Sequence, residues 1–456
     1  MPAKPTKTDN QTNNQRDVLI AELLDKMRHQ LEEQLPRETA TLDQIEEAAG
    51  KIGRSLSREI QQSVVQQRNQ SKTPKAQCAC GRLARNKGQQ PRSVVTVHGV
   101  LSWERTLYHC AVCQRSFSPL DKSLGLDSGS TTTQVRLWIA LLAGQLPFAQ
   151  AATTLQLLTG VALSASTVER QSVYIGTSLR RSQQEQARKH HVGEMPEPAC
   201  KPHRLYIGLD GVFVPLRDGW KKDASKGALS CRYGECKSGV VYEAFVDKDG
   251  KDSRVRLHSY VATLDKVERF APLLGALAHQ NGHHRAKEVV VIGDGAPWIW
   301  QLAAKQFAGA VQIVDFFHAA EHLGKVAEAR FGAESVEGRD WLSSRLQELK
   351  TNHLDKVLLA LRLWRPSSAT KQQLRRSTYA YFANNADRMR YQTFLEQGYH
   401  IGSGVVEATC KKVVAQRLDQ AGMHWRQESA EAIVAIRAAQ LSTTPTDLRP
   451  YCRMLN

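Results

Sequence analysis

A chain of 456 residues with 41% apolar and 23% charged residues can bury more than one core, which excludes a wholly disordered protein. Its 62 Lys and Arg against 45 Asp and Glu leave a formal charge of +17, which favours a polyanionic partner such as nucleic acid. Basic proteins without such a partner share that balance, so charge alone does not identify one.

Residues 1–16 are polar, rich in Asn, Gln, Thr and Lys, and contain no apolar signal core, so they read as a disordered, cytoplasmic start. The odd count of nine cysteines, most of them scattered, fits reduced thiols. Residues 17–73 read as two helices: Val18, Leu19, Leu23, Leu24 and Met27 recur at helical spacing, and Thr41 with Gln44 forms a capping-box signature beyond Pro36. A hairpin that packs or dimerises is expected.

Residues 74–120 carry Cys78-Ala79-Cys80 and Cys110-Ala111-Val112-Cys113 on either side of an expected β-hairpin. Zinc takes four thiolate or imidazole ligands at tetrahedral angles, which two close pairs joined by a hairpin supply. The C-x-C pair is tighter than the usual C-x-x-C. Four reduced cysteines in a small core, or His98 or His109 replacing one cysteine, are the alternatives. A structural zinc would act first in folding.

Residues 121–200 read as helical. The stretch 137–168 holds no charged residue and is long enough to span a bilayer, but Gln145, Pro147, Gln150, Thr153, Thr154 and Gln156 interrupt it, which points to buried helices and no membrane. Ala151, Ala152 and Leu155, a turn at Thr159-Gly160-Val161, and Ser164 or Ser166 as cap of a helix carrying Val168 and Val173 make a helix-turn-helix pattern. Ordinary helical bundles contain the same pattern. The charged stretch 180–204 reads as a helix end and linker.

From 201 to 325, strands are expected at 205–215, 240–246, 255–264, 289–293 and 311–314, with helices near 266–280 and after Pro297. Asp210 interrupts the first apolar strand, Asp294 ends the fourth, and Asp315 with His318 follows the fifth. A lone buried carboxylate is costly, so it is paired, binds a metal or lies at a sheet edge. Strand-end acids in a sheet with crossover helices line one edge. A third acid, Glu407, lies early in a helix that the run Gly402 to Glu407 starts and that is expected to reach about Leu418. Two aspartates and a glutamate from separate elements suit two Mg2+ ions in phosphoryl transfer. Cys231 and Cys236 have no second pair nearby and are not read as ligands.

In this order the cysteine hairpin, Ser118-Pro119-Leu120-Asp121, Asp210 in its apolar strand, Asp294-Gly295-Ala296-Pro297-Trp298, Asp315-Phe316-Phe317-His318, Gly402 to Glu407 and Gly422-Met423-His424-Trp425 resemble the ISKra group of bacterial insertion-sequence transposases. The likeness covers roughly 75–441, and the C-x-C pair departs from it. The group is related to Mutator-like transposases. The resemblance implies an α/β RNase H-like core interrupted by an all-α insertion over 326–400 and resumed over 401–441, before a tail at 442–456. It implies Asp210, Asp294 and Glu407 as the catalytic DDE set holding two Mg2+ (or Mn2+) ions, with Asp315 and His318 as an accessory element.

Asp315 is either an alternative ligand or a carboxylate orienting His318, and His318 either moves a proton, contacts phosphate or is structural. Between 345 and 376, Arg345, Lys350, Lys356, Arg362, Arg365, Lys371, Arg375 and Arg376 face only two acids and form either a phosphate track or a solvated face. Lys411, Lys412 and Arg417 are further DNA-binding candidates, and Trp425 suits base stacking and core packing equally; Trp298 suits core packing better than base stacking. The expected activity is cleavage at terminal inverted repeats and joining of 3′-hydroxyl ends to target DNA, by a homodimer or higher oligomer in the cytoplasm, associated with the nucleoid. A nuclease without strand transfer, or a non-catalytic DNA-binding regulator, is the alternative.

Overall fold

A computed structural model describes residues 7–34, 38–68, 73–126, 129–217, 232–246, 253–402 and 404–453. Cys231, Ser403 and residues 1–6 of the expected tail lie outside that set. The chain forms two compact units: residues 1–142, 148–171 and 448–456, and residues 143–147 and 172–447.

The first unit opens with helices α1 (Lys7–Gln34) and α2 (Leu42–Gln67). Residues 7–16, expected to be disordered, are helical: no Gly or Pro interrupts the chain from Lys7 to Gln34, and extending a helix is easier than nucleating one. The capping box before α2 forms, with Thr41 Oγ1 accepting from the Gln44 N–H and Gln44 Oε1 from the Thr41 N–H. Strands β1 (Lys75–Gln77), β2 (Leu83–Thr96), β3 (Gly99–His109) and β4 (Ser116–Phe117) make an antiparallel sheet in that order. Gln62 of α2 exchanges hydrogen bonds with the Ser102 backbone of β3. Val94, Leu101, Trp103 and Leu120 form one small core, with Val65 of α2 against it.

Helices α3 (Pro119–Ser123), α4 (Thr133–Gln145), α5 (Phe148–Thr159) and α6 (Ala165–His191) follow. Gly160, at φ 75°, makes the turn after α5, and Ser164 Oγ accepts from the Thr167 N–H at the start of α6. The uncharged stretch is thus split among short helices, and among the described residues no helix is long and apolar enough to cross a membrane. The stretch 180–204 is a linker only beyond His191, because Arg188 pairs with Glu185 one turn back and with Glu194, holding the helix to its end.

The second unit is built on β5 (Arg204–Leu216), β6 (Arg232–Val246), β7 (Ser253–Thr263), α7 (Val267–Gln280), β8 (Glu288–Gly293), α8 (Pro297–Gln306) and β9 (Val311–Val314). Its sheet order is β7-β6-β5-β8-β9; the first three strands are antiparallel neighbours, while β8 runs parallel to β5 and β9 to β8. All five strands and both helices expected from the sequence are present, and β6 starts earlier than expected because its residues from Arg232 to Glu243 pair with β5. Phe270 and Leu274 of α7 pack over Gly239 on one face of the sheet.

Between β9 and residue 402 the described chain is helical or in short connections: α9 (Phe316–Phe331), α10 (Val336–Lys350), α11 (Leu354–Leu363), α12 (Ala369–Asn384) and α13 (Tyr391–Glu396). α14 (Gly404–Thr409) continues through a π-helical segment, Cys410–Ala415, into a last turn, α15 (Gln416–Leu418). α16 (Gln427–Leu441) is buried on all sides from Ser429 to Ala439, as suits a helix at the centre of a unit. The expected tail includes a short helix, α17 (Arg449–Cys452), which belongs to the first unit, where buried Arg136 donates to the Cys452 carbonyl.

Candidate active site and cysteine centre

Leu209 of β5 pairs with Gly293 of β8, and Gly293 with Val314 of β9. The next residue after each is an aspartate: Asp210 lies inside β5, which runs on to Leu216, while Asp294 and Asp315 directly follow the last residues of β8 and β9. Strand spacing of roughly 4.8 Å sets Asp294 beside Asp210 and Asp315 one strand further.

Burial raises the Asp210 carboxyl above its ordinary range and the charge of Asp294 adds to that, while Cys410, the Gly211 N–H and His318 act in the opposite direction. Asp294 Oδ1 accepts from the Ala296 N–H at 2.8 Å, fixing the turn into α8. Asp315 is 3% exposed and its Oδ1 accepts from the Phe317 N–H at 2.9 Å, so it caps α9 rather than facing an open metal position. His318 is partly exposed on the first turn of α9, near Asp210 and 3.9 Å from Glu321.

Glu407 is placed differently. Val406 lies against β5 at Gly208, where a Cβ would come within 2.3 Å of Val406 Cγ2, and Cys410 one turn on hydrogen-bonds Asp210. Glu407, three residues before Cys410 and so a neighbour of it on the helix surface, is exposed. Among the described residues the three carboxylates do not form a group with all ligand atoms within 4.8 Å of one another. Burial and the Asp210 charge push the Cys410 thiol upward, which keeps it a neutral donor to the carboxylate.

The π segment begins at Cys410. In such a segment carbonyls lose regular helical partners, and here the Arg437 guanidinium of α16 serves them: its Nε donates to the Val413 carbonyl at 2.9 Å and its Nη2 to that of Lys412. Burial lowers Arg437 to about 10. Burial, helped by Arg437, does the same to Arg417, which is 1% exposed, donates to the Ala143 carbonyl at 3.0 Å and stacks over the Trp425 ring. Two DNA-binding expectations are corrected here: Arg417 is consumed by backbone and ring partners, and Trp425 is 5% exposed with its indole N–H bonded to the Leu418 carbonyl. A guanidinium and an indole that are buried in a core and bonded to its carbonyls do not meet phosphate or bases. Lys411 and Lys412 are exposed.

Tyr381 of α12 was not singled out in the sequence. Its hydroxyl donates to the Asp294 carbonyl at 2.9 Å, and its ring covers Gly295, whose φ of 101° and 2.6 Å clearance admit only glycine. The ring stacks on His322 at 4.0 Å, and burial lowers that imidazole to about 4. No periodicity marks a tyrosine 87 positions from its partner. Trp298 is half-buried, with its ring roughly perpendicular to that of Phe270 and with Lys237 over it. Along the expected basic track Lys350, Lys356, Arg362, Arg365, Lys371 and Arg376 are exposed and Arg375 is half-buried, while Arg345 is engaged by Glu348 at 2.5 Å.

In the first unit, Cys78, Cys80, Cys110 and Cys113 bring their sulfurs within 4.8 Å of one another. Each pair sits in a tight loop closed by a backbone bond, Cys78 N–H to the Arg82 carbonyl and Cys110 N–H to that of Arg115, with Gly81 and Gln114 at positive φ. The C-x-C spacing is therefore no obstacle. The Cys113 backbone, with that of Val112, pulls the Cys110 thiol down to about 6. Cys113, although the Arg115 backbone donates to it, is pushed up to about 11 by burial and by its thiol neighbours. Four sulfurs so placed suit a tetrahedral soft-metal centre. His98 and His109 are not part of the set, and His109 Nδ1 is instead 3.0 Å from Ser116 Oγ. Metal analysis of the purified protein should give about one zinc per chain. A Cys110→Ser/Cys113→Ser variant should lose it, and equal content in both proteins would discard the centre.

Among curated proteins the chain is 23% identical over 358 residues to a protein of Streptococcus gallolyticus described as "UPF0236 protein in vanSb 3′ region", covering 77% of this chain and 73% of that one. Among solved structures, the Drosophila P element transposase strand transfer complex aligns at 12% identity over 65% of this chain and 66% of that chain, with a TM-score of 0.23, a likeness from which nothing about fold or activity follows. The family model described as "Uncharacterised protein family (UPF0236)" matches residues 44–449, and the chain belongs to that family.

Proposed function

We propose that this protein is a DDE transposase of a bacterial insertion sequence, with an RNase H-like core formed by the second unit. The observation that carries the reading is the placement of Asp210 and Asp294 one residue beyond the paired Leu209 and Gly293 of adjacent parallel strands. Two acids so close, one of them shifted upward by burial and by the other's charge, fit a divalent cation that relieves both effects. Asp210 and Asp294 would hold Mg2+ or Mn2+, with Glu407 as third ligand from the adjoining helix. When bound, such ions polarise the phosphodiester and lower the pKa of water or of a 3′-hydroxyl.

The chain's own groups supply the rest. Cys410 steadies Asp210, and Tyr381 fixes the turn that carries Asp294. Exposed Lys411 and Lys412 beside Cys410, and the cations of α10 to α12, offer phosphate contacts to duplex DNA at the element ends and the target. The cysteine centre, with zinc, holds the small sheet together. Two DNA ends must be held at once, so the working form is a homodimer or larger, acting in the cytoplasm on the nucleoid.

The exposure of Glu407 gives the non-catalytic DNA-binding reading its one specific support. A plasmid-nicking assay in Mg2+ separates the two. Wild type should nick, and Glu407→Gln should reduce nicking by at least roughly 100-fold while DNA binding persists. Undiminished nicking by the variant removes Glu407 from the site, and no nicking by wild type favours the regulator.

A further inference from the structure

The four-stranded sheet of the first unit has two unlike faces. Directly paired residues share a face, and the register runs Lys75 to Arg85, Arg85 to His109, and His109 to Ser116 across all four strands. On the other face Ala84, Tyr108 and the two inner cysteines are buried, with Phe117 packed against them. The first face is exposed at Lys75 and Arg85. Lys87, Arg82 and Arg115 are exposed beside it, the last two at the loops that carry the cysteines. From 73 to 118 the only acid is Glu104. None of these five cations is in an ion pair among the described residues, whereas Arg105 of the same module is paired with Asp121.

We infer that this face docks on the phosphate backbone of duplex DNA without reading sequence. Unpaired cations in a row across a rigid sheet meet a polyanion without first breaking ion pairs. Single-strand binding sites stack bases on aromatic rings, but Tyr108 and Trp103 of this module are 0% and 7% exposed. The face thus suits a duplex whose bases stay paired. The inference shares its partner, but neither its residues nor any reaction, with the function proposed above.

The test is the salt dependence of binding of full-length, zinc-loaded protein to a fluorescent duplex of arbitrary sequence, without Mg2+. Each lost phosphate contact lowers the slope of log K against log [salt] by about 0.9, so Lys75→Ala/Arg85→Ala should lower it by roughly 2. Arg188→Ala, a cation already held by Glu185 and Glu194, should leave it unchanged. If the first variant loses zinc, Arg82→Ala/Arg115→Ala is judged by the same criterion. An unchanged slope in a zinc-retaining variant overturns the inference, as does tighter binding of duplex RNA than of duplex DNA. Wild type that binds no duplex overturns it together with the DNA partner of the proposed function, whereas DNA binding without nicking counts against the reaction alone.

Discussion

Replacing Asp210 or Asp294 by asparagine should reduce Mg2+-dependent DNA cleavage by at least roughly 100-fold, the scale on which losing one group that stabilises a transition state is felt. Each substitution keeps the side-chain volume and an oxygen able to accept from the Gly211 or Ala296 N–H, so the turns at both strand ends should survive. The expected loss is thus chemical and not structural. A second readout needs no DNA: a ligand that binds only the folded state adds about 2.7 kcal/mol at roughly a hundred times its Kd, so Mg2+ should raise the Tm of wild type. The increment should vanish in Asp210→Asn/Asp294→Asn. An equal rise in both proteins would place the cation elsewhere.

The largest stability effect is expected at Arg437. It is 2% exposed and serves the Val413 and Lys412 carbonyls of the π segment, the Gly144 carbonyl, and Gln145 Oε1 at 3.1 Å. Arg437→Met removes every donor and leaves buried carbonyls unpartnered, each at about 1–3 kcal/mol, so a total loss of roughly 3–5 kcal/mol is expected in urea unfolding. Arg437→Lys keeps the charge but not the fork that reaches several acceptors at once, and should fall between the two. Because the π segment carries Cys410 against Asp210, both variants should also cut less. A loss below about 1 kcal/mol in Arg437→Met would mean that the π segment does not depend on this side chain.

Much of this was legible in the sequence because it rests on local patterns. An apolar run interrupted by Asp210 placed β5, apolar runs ending in Asp-Gly and Asp-Phe placed β8 and β9, and the Thr41 and Gln44 pair placed the start of α2. The cysteine loops were also legible, since close pairs around a hairpin leave few arrangements. The failures involve residues whose surroundings come from far along the chain. Arg417 read as a surface group because a guanidinium usually keeps its polar end in water, and Trp425 was open to either reading, but the Ala143 and Leu418 carbonyls hold both inside. Tyr381 reaches the Asp294 carbonyl only through the placement of α12, which local periodicity does not encode.

The central claim, phosphoryl transfer to DNA by the Asp210 and Asp294 pair, is tested most directly by joining. Purified full-length protein is incubated with Mg2+, a duplex ending in the element's own terminal repeat with a free 3′-hydroxyl, and a supercoiled plasmid. Covalently joined products are then measured for wild type and for Asp210→Asn. The account predicts joined product from wild type, none with chelator, and none above background from the variant. Hydrolysis without joining would reduce the protein to a nuclease, and joining that survives Asp210→Asn would contradict the assignment of the site.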